Sequence, residues 1–262
     1  MAVISIIVPC YNVEKYIDRC FESLKRQTIG IEQMEIIFVD DASTDHTWDK
    51  LCEIEKQYPD NVILVHCEEN GRQGKARNIG MTYATADYVG FVDSDDWVEP
   101  DMYEIMLGEM IKNDRDIVYC KFFRDSGEGI KEHRLDGTVA NLLIDTTEKR
   151  KEFIRSNCLG YGVWDKIYKR QLLVENNIYF PENVAYEDIF FSGLYYLYAK
   201  KVAIINYELY HYFVNNGSTV LKKNACQNVY IPEKYRILLP LLNAKVSEDE
   251  LDKIANSFKA NY

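Results

Sequence analysis

Apolar residues in this chain come as short β-branched runs separated by stretches with a helical period. Residues 3–9, VISIIVP, form an unbroken run of the kind that suits a strand buried on both faces. Ile17, Cys20, Phe21 and Leu24 then follow at i, i+3, i+4, i+7, which predicts an amphipathic helix, with Asn12 as its expected N-cap. A second strand, Glu35 to Val39, runs into Asp40-Asp41-Ala42-Ser43-Thr44-Asp45, whose hydroxyls and carboxylates suit a helix start. That helix carries Trp48, Leu51 and Cys52. Residues 62–65 predict a third strand, 74–85 a helix, and Tyr88 to Val92 a fourth strand ending at Asp93.

This order predicts an α/β protein: a Rossmann-like, mostly parallel open sheet flanked by helices. Ligands in such sheets sit beyond the carboxyl ends of the strands. Pro9 and Tyr11, Asp40, and Asp93 all fall on that edge, so polar groups distant in sequence converge on one crevice. Past residue 100 the pattern loosens. Glu99-Pro100 predicts a helix with proline at its first position. Ile117 to Cys120 reads as a strand, 124–141 as a mobile loop or hairpin, and 202–213 as one or two strands. A helix-rich stretch containing Tyr186 to Phe191 lies between, and the last 30 residues read as a helical tail.

Asp93-Ser94-Asp95-Asp96 places three carboxylates at a strand end. Alternation along an extended segment lets Asp93 and Asp95 face one ligand. The cluster is either a solvated turn or a site for a divalent metal that holds a diphosphate. The first turn, Cys10-Tyr11-Asn12, lacks the glycines of a dinucleotide fingerprint, and no P-loop occurs anywhere. The first loop therefore suits a base better than a phosphate.

Composition narrows the partners. The 262 residues allow one large α/β domain, or one domain plus an appendage. A net charge of −11 leaves no electrostatic footprint for nucleic acid. The 20 tyrosines suit either carbohydrate faces or an aromatic core. Seven cysteines without a C-x-x-C pair read as reduced thiols. No basic leader precedes the first strand, and no apolar run is long enough to span a bilayer. A cytoplasmic protein is expected, with peripheral contact at the cytoplasmic membrane face as an option.

Several motifs occur in order: Ile7-Val8-Pro9-Cys10-Tyr11-Asn12, Val39 to Asp45, Asn70-Gly71 with Ala76-Arg77-Asn78-Ile79-Gly80, Phe91 to Asp96, Trp164 to Tyr168, and Glu187-Asp188. Together they resemble the inverting nucleotide-sugar glycosyltransferases of family 2, with the A-type glycosyltransferase fold. The resemblance covers about residues 3 to 220. It implies that Pro9 and Tyr11 border the nucleobase, that Asp40 bonds the base, usually uracil, and that Glu14 helps at the nucleoside. Arg77 would lie near the nucleotide or its phosphates, with Asp93 and Ser94 at the donor. Asp95, with Asp93, would ligate Mn²⁺ or Mg²⁺. Asp188 would be the catalytic base, with Glu187 beside it.

The domain division implied is 1–100 for the nucleotide half, 101–220 for the acceptor half, and 221–262 for a helical extension. The donor would be a UDP-sugar and the acceptor a cell-surface glycan, a lipid-linked precursor or a related polymer. One metal-binding acidic cluster and one distant acidic pair suit transfer, because a departing diphosphate needs no general acid. Glycosidases need two carboxylates at the scissile bond. A sugar nucleotidyltransferase and a non-catalytic nucleotide-binding module stand as alternatives.

Each assignment has a plainer reading: Asp40-Asp41 as a helix cap, Arg77 as a surface residue, Glu187-Asp188 as a solvated first turn. Trp164 reads as core or pocket wall. The basic residue that many relatives carry near position 213 is absent, which leaves His211 or Lys222 as substitutes.

Overall fold

The structure, a computed structural model, describes residues 2–125, 134–182 and 186–214. The expected helical extension, Lys222 and part of the 124–141 segment lie outside the described residues.

Four parallel strands form one half of a single sheet: β1 (Ile4–Cys10), β2 (Met34–Asp40), β3 (Val62–His66) and β4 (Tyr88–Phe91), in spatial order β3-β2-β1-β4. The β1 run is buried throughout because both faces are covered. Ile4, Ile6 and Val8 point to one core, shared with α1 (Ile17–Lys25), α2 (Thr47–Gln57) and α4 (Met102–Lys112). Ile7 points to the other, shared with α3 (Arg72–Tyr83) and later helices. Each such fully buried side chain contributes roughly 1.5–3 kcal/mol.

The second half is mixed. β8 (Lys166–Lys169) runs antiparallel between β4 and β6 (Ile117–Asp125). β9 (Lys201–Phe213) continues parallel to β6 and also pairs antiparallel with β5 (Trp97–Val98) and β7 (Val139–Leu143). The α/β sheet with flanking helices is the predicted architecture. α5 (Thr147–Ser156), α6 (Arg170–Glu175) and α7 (Glu187–Tyr198) complete the cover.

Local expectations differ in four places. Asn12 does not cap α1. That helix starts five residues later behind Tyr16, without a side-chain cap, and the Asn12 amide oxygen accepts Thr44 N–H at 2.8 Å instead. Pro100 is not the first helical residue; it lies in a turn and α4 begins at Met102. β6 and β7 form no hairpin with each other, because β9 lies between them. Residues 166–169 form a strand that the sequence pattern did not announce, since Lys166 and Lys169 break its apolar run.

Candidate active site

The carboxyl ends of β1 and β2 carry two loops that are laced together. Val13 N–H donates to Thr47 Oγ1 at 2.8 Å, Asn12 N–H to Ser43 Oγ at 3.0 Å, and His46 N–H to the Glu14 carboxylate at 3.0 Å. Glu14 is thus spent, in part, on holding the neighbouring loop. Tyr11 projects from this rim with 48% of its surface exposed, and Pro9 is buried in the strand beneath. Four of the eight non-glycine residues with positive φ among the described residues lie in the loops around this site: Asn12 (53°), Ala42 (60°), Arg72 (66°) and Tyr186 (61°); the others, Asp114, Leu135, Asn157 and Asn177, lie elsewhere.

Asp40, the last residue of β2, is fully buried. Parallel register sets it beside Cys10 of β1 and His66 of β3. Its Oδ2 accepts from His66 Nδ1 at 2.8 Å and from Ser43 N–H at 3.3 Å. Its Oδ1 is buried with no hydrogen-bond partner in the protein. Asp41 serves a different end, since its Oδ1 accepts Gly71 N–H at 2.8 Å and ties the loop before α3 to β2. The pair is therefore more than a helix cap.

Beyond β4 the chain turns through Asp93-Ser94-Asp95-Asp96. Tyr210 of β9 braces this turn. Its hydroxyl donates to Asp96 Oδ2 at 2.6 Å and accepts Asp93 N–H at 3.1 Å. Asp96 is buried and also accepts Phe213 N–H. Burial first, then the charges of Asp93 and Asp95, pushes its carboxyl well above the usual range. Ser94 is buried against the Cys10 thiol. Behind the turn, the Arg19 guanidinium lies 3.8 Å from the Trp97 ring centroid and 4.5 Å from that of Phe213. It donates to the main-chain oxygen of Asp95 at 2.7 Å.

Arg77 links this turn to α7. It is only 2% exposed, so it is not a surface residue. One of its NH groups donates to Asp93 Oδ1 at 2.7 Å and the other to Glu187 Oε1 at 2.5 Å. Burial opposes the guanidinium charge, yet Asp93 and Glu187 outweigh it and hold the pKa above its ordinary value. The approach of α3 to α7 depends on Gly74. A Cβ there would sit 2.6 Å from the Pro181 carbonyl oxygen and 3.2 Å from Glu187 Cγ.

Glu187 and Asp188 form the first turn of α7. Glu187 is buried and paired; Asp188 is half-buried and accepts Ile189 N–H at 2.9 Å. Burial, reinforced by the charge of Glu187, raises the Asp188 carboxyl to about 6. It therefore stays largely ionised at neutral pH while gaining basicity, which a general base needs. The helix N-terminus favours the same charge.

An aromatic wall flanks the turn. Trp164 stacks on Tyr210 (centroids 4.5 Å, 24°) and meets Phe122 edge-on. His211 is 1% exposed, stacked between Trp97 and Phe123, and bonded to Glu99 at 2.6 Å. It is a packed histidine and does not stand in for a late phosphate contact.

Among the described residues no three His, Cys, Asp or Glu side chains are gathered to hold a metal by themselves. Asp93 and Asp95 are nonetheless half-buried, hard oxygen donors on one turn. One or two carboxylates completed by phosphate oxygens and water are the usual setting for Mg²⁺, and Mn²⁺ accepts the same donors. The donor set fits such an ion.

Sequence reasoning passed over His66, Arg19 and Tyr210. A histidine ending the strand next to Asp40 is visible as VILVH beside EIIFVD. Arg19 and Tyr210 carry no comparable signal, since one sits on the polar side of an amphipathic helix and the other in a tyrosine-rich strand.

Comparison with known proteins places the chain in a family. The family model described as Glycosyl transferase family 2 matches residues 5–175, and the chain belongs to that family. EpsH of Bacillus subtilis (strain 168), named as a glycosyltransferase, is 34% identical over 225 residues, 83% of this chain. The chain spans 62% of the length of EpsH. The poly(ribitol-phosphate) beta-N-acetylglucosaminyltransferase TarS of Staphylococcus aureus (strain Mu50) is 29% identical over 264 residues, 97% of this chain and 43% of TarS. The crystal structure of TarS 1–349 in complex with UDP-GlcNAc matches with a TM-score of 0.72 and 27% identity, over 99% of this chain and 72% of that one. A mannosyltransferase from Pyrobaculum calidifontis in complex with GDP-Man and Mn²⁺ shares the fold alone, with a TM-score of 0.63 at 17% identity, over 98% of this chain and 74% of that one.

Proposed function

We propose that this glycosyltransferase moves a sugar from a UDP-sugar, with inversion, onto a hydroxyl of a cell-surface polymer or its lipid-linked precursor. The observation that carries the reading is Asp40 Oδ1. It is a buried acceptor without a donor, on the rim that also holds Tyr11 and the Asp93 turn. A buried acceptor left unpaired is costly. The N3–H of uracil supplies the missing donor, with Tyr11 exposed to stack on the ring. Sequence similarity to TarS, crystallised with UDP-GlcNAc, supports a UDP-sugar, and its poly(ribitol-phosphate) name supports a polymer acceptor.

In this mechanism Asp93 and Asp95 would hold Mn²⁺ or Mg²⁺, and the ion would supply positive charge for the departing diphosphate. Arg77 keeps Asp93 in place and holds α7 against the donor side. Asp188 takes the proton of the acceptor hydroxyl as its oxygen bonds the anomeric carbon and the carbon–phosphate-oxygen bond breaks. The proton ends on Asp188, and UDP leaves without a general acid. Glu187, engaged by Arg77, acts on Asp188 through its charge.

The test is calorimetric binding of UDP, GDP, CMP and ADP with and without Mn²⁺, followed by UDP-release assays over a panel of UDP-sugars. UDP is expected to bind tightest with metal and one UDP-sugar to turn over. Preference for another nucleotide would redirect the donor assignment. No binding of any nucleotide would defeat the reading.

A further inference from the structure

We infer that His66 is a positioning residue for the nucleobase, acting through Asp40; this rests on the nucleotide pocket proposed above. A carboxylate can only accept, so the 2.8 Å contact between Asp40 Oδ2 and His66 Nδ1 requires the proton on Nδ1. The histidine thereby occupies one oxygen of a fully buried carboxylate. The second contact to that oxygen, from Ser43 N–H at 3.3 Å, is long. The other oxygen, Oδ1, has no partner. The division is asymmetric: the protein satisfies Oδ2 and leaves Oδ1 to a ligand donor.

The fold fixes this division in two ways. β2 and β3 pair in parallel with Asp40 opposite His66, so both side chains emerge on one face of the sheet at its carboxyl edge. The imidazole is then held from the side by Trp48 of α2, with ring centroids 4.7 Å apart. Its side chain is 46% exposed, so it adds little to the core. A half-exposed histidine locked against a fully buried aspartate is poorly explained by packing. It is well explained as the strut that stops the carboxylate from rotating Oδ1 away from an incoming N–H.

Removing the strut lets the Asp40 carboxylate turn and weakens its reading of the base N3–H. The measurement is the affinity of UDP and of N3-methyl-UDP, the second lacking that donor. It is made by calorimetry on wild type, His66→Leu, His66→Asn and Asp40→Ala, with unfolding midpoints recorded alongside. Asn is the conservative variant because its amide nitrogen falls near the position of Nδ1.

Wild type is expected to favour UDP over the methylated analogue by at least about tenfold, the scale of one hydrogen bond to a charged group. His66→Leu compresses that ratio severalfold and raises the donor KM, leaving kcat within about twofold and the unfolding midpoint nearly unmoved. His66→Asn restores most of the ratio. A purely structural histidine would shift the midpoint and leave the ratio intact, which overturns the inference. Loss of the ratio in Asp40→Ala but not in His66→Leu also overturns it and leaves the nucleotide pocket standing. An unchanged ratio in Asp40→Ala, which has no acceptor at this position, removes the pocket itself, and the inference with it.

Discussion

Arg77 and Glu187, 110 positions apart in sequence, share a 2.5 Å hydrogen bond in a place nearly closed to solvent. The bond joins α3, which packs on the donor half of the sheet, to the helix that begins with the acidic pair. Because Arg77 also holds Asp93, one guanidinium sets the spacing between the acidic turn and α7.

Arg77→Met is expected to cost about 3–5 kcal/mol in urea unfolding, because it strands two carboxylates in a buried place. Arg77→Lys keeps the charge but cannot serve both partners in a fork, so an intermediate loss is expected. Adding Glu187→Gln to Arg77→Met should recover part of the loss, since one stranded charge disappears. Additive costs in that double mutant would show that the pair is not coupled.

Asp188 predicts a pH profile. Its carboxyl lies at about 6, above the ordinary carboxylate value, and only the ionised form accepts a proton. Turnover should therefore be full above about pH 7 and fall roughly tenfold per pH unit well below 6. Asp188→Asn should lower kcat by at least about 10²-fold. The same raised value means that the folded protein binds this proton more tightly than the unfolded chain, so the ionised side chain costs stability at neutral pH. That cost fades as pH falls through 6 toward 4. Asp188→Asn should thus be about 1–2 kcal/mol more stable than wild type at pH 7.5 and equal to it near pH 4. A variant that is inactive and also less stable at pH 7.5 would argue for a structural aspartate.

Much of the first hundred residues was legible because both of its signals are local. β-branched runs mark strands covered on both sides, and in a parallel sheet their ends place Pro9, Asp40 and Asp93 on one edge without further information. The polar groups of that edge were harder to read. Asn12 and Asp45 look like helix caps in sequence. In the fold Asn12 binds across to the neighbouring loop, whereas Asp45 does accept Thr47 N–H at the start of α2 as well as Glu14 N–H. Beyond residue 100 the strands pair with partners far away in sequence, and two of them carry lysines or short irregular runs. Single-chain periodicity is weak there. The Arg77–Glu187 link was out of reach for the same reason, since nothing local says that a helix near residue 77 meets one near residue 187.

Two glycines in helices should respond in opposite directions. Gly108→Ala in α4 meets nothing within 4 Å of the new Cβ, so it should stabilise by about 0.5–1 kcal/mol through helix propensity. Gly74→Ala in α3 gains the same propensity, but its Cβ would press on the Pro181 carbonyl and on Glu187. The helices must part, so a net loss of about 1–3 kcal/mol is expected. Activity should fall with it, because Glu187 and Asp188 move together. Thermal unfolding of the two single variants is enough; equal stabilisation by both would show that α7 can yield without cost.

Metal removal tests the acidic turn by electrostatics rather than by activity alone. The chain carries a net charge of −11, and the half-buried carboxylates of Asp93 and Asp95 share one turn where a diphosphate is proposed to sit. Without a cation, like charges oppose UDP. Chelation should therefore weaken UDP binding by about 10-fold or more while leaving uridine, which has no phosphates, nearly unaffected. Asp95→Ala should abolish the metal-dependent gain. It also removes one repelling charge, so metal-free UDP should bind the variant as well as, or better than, metal-free wild type. If UDP binds Asp95→Ala more weakly than wild type even under chelation, Asp95 contacts the nucleotide directly and is not acting through an ion. The uridine control separates that outcome from a collapsed base pocket, since a collapsed pocket would lose uridine and UDP alike.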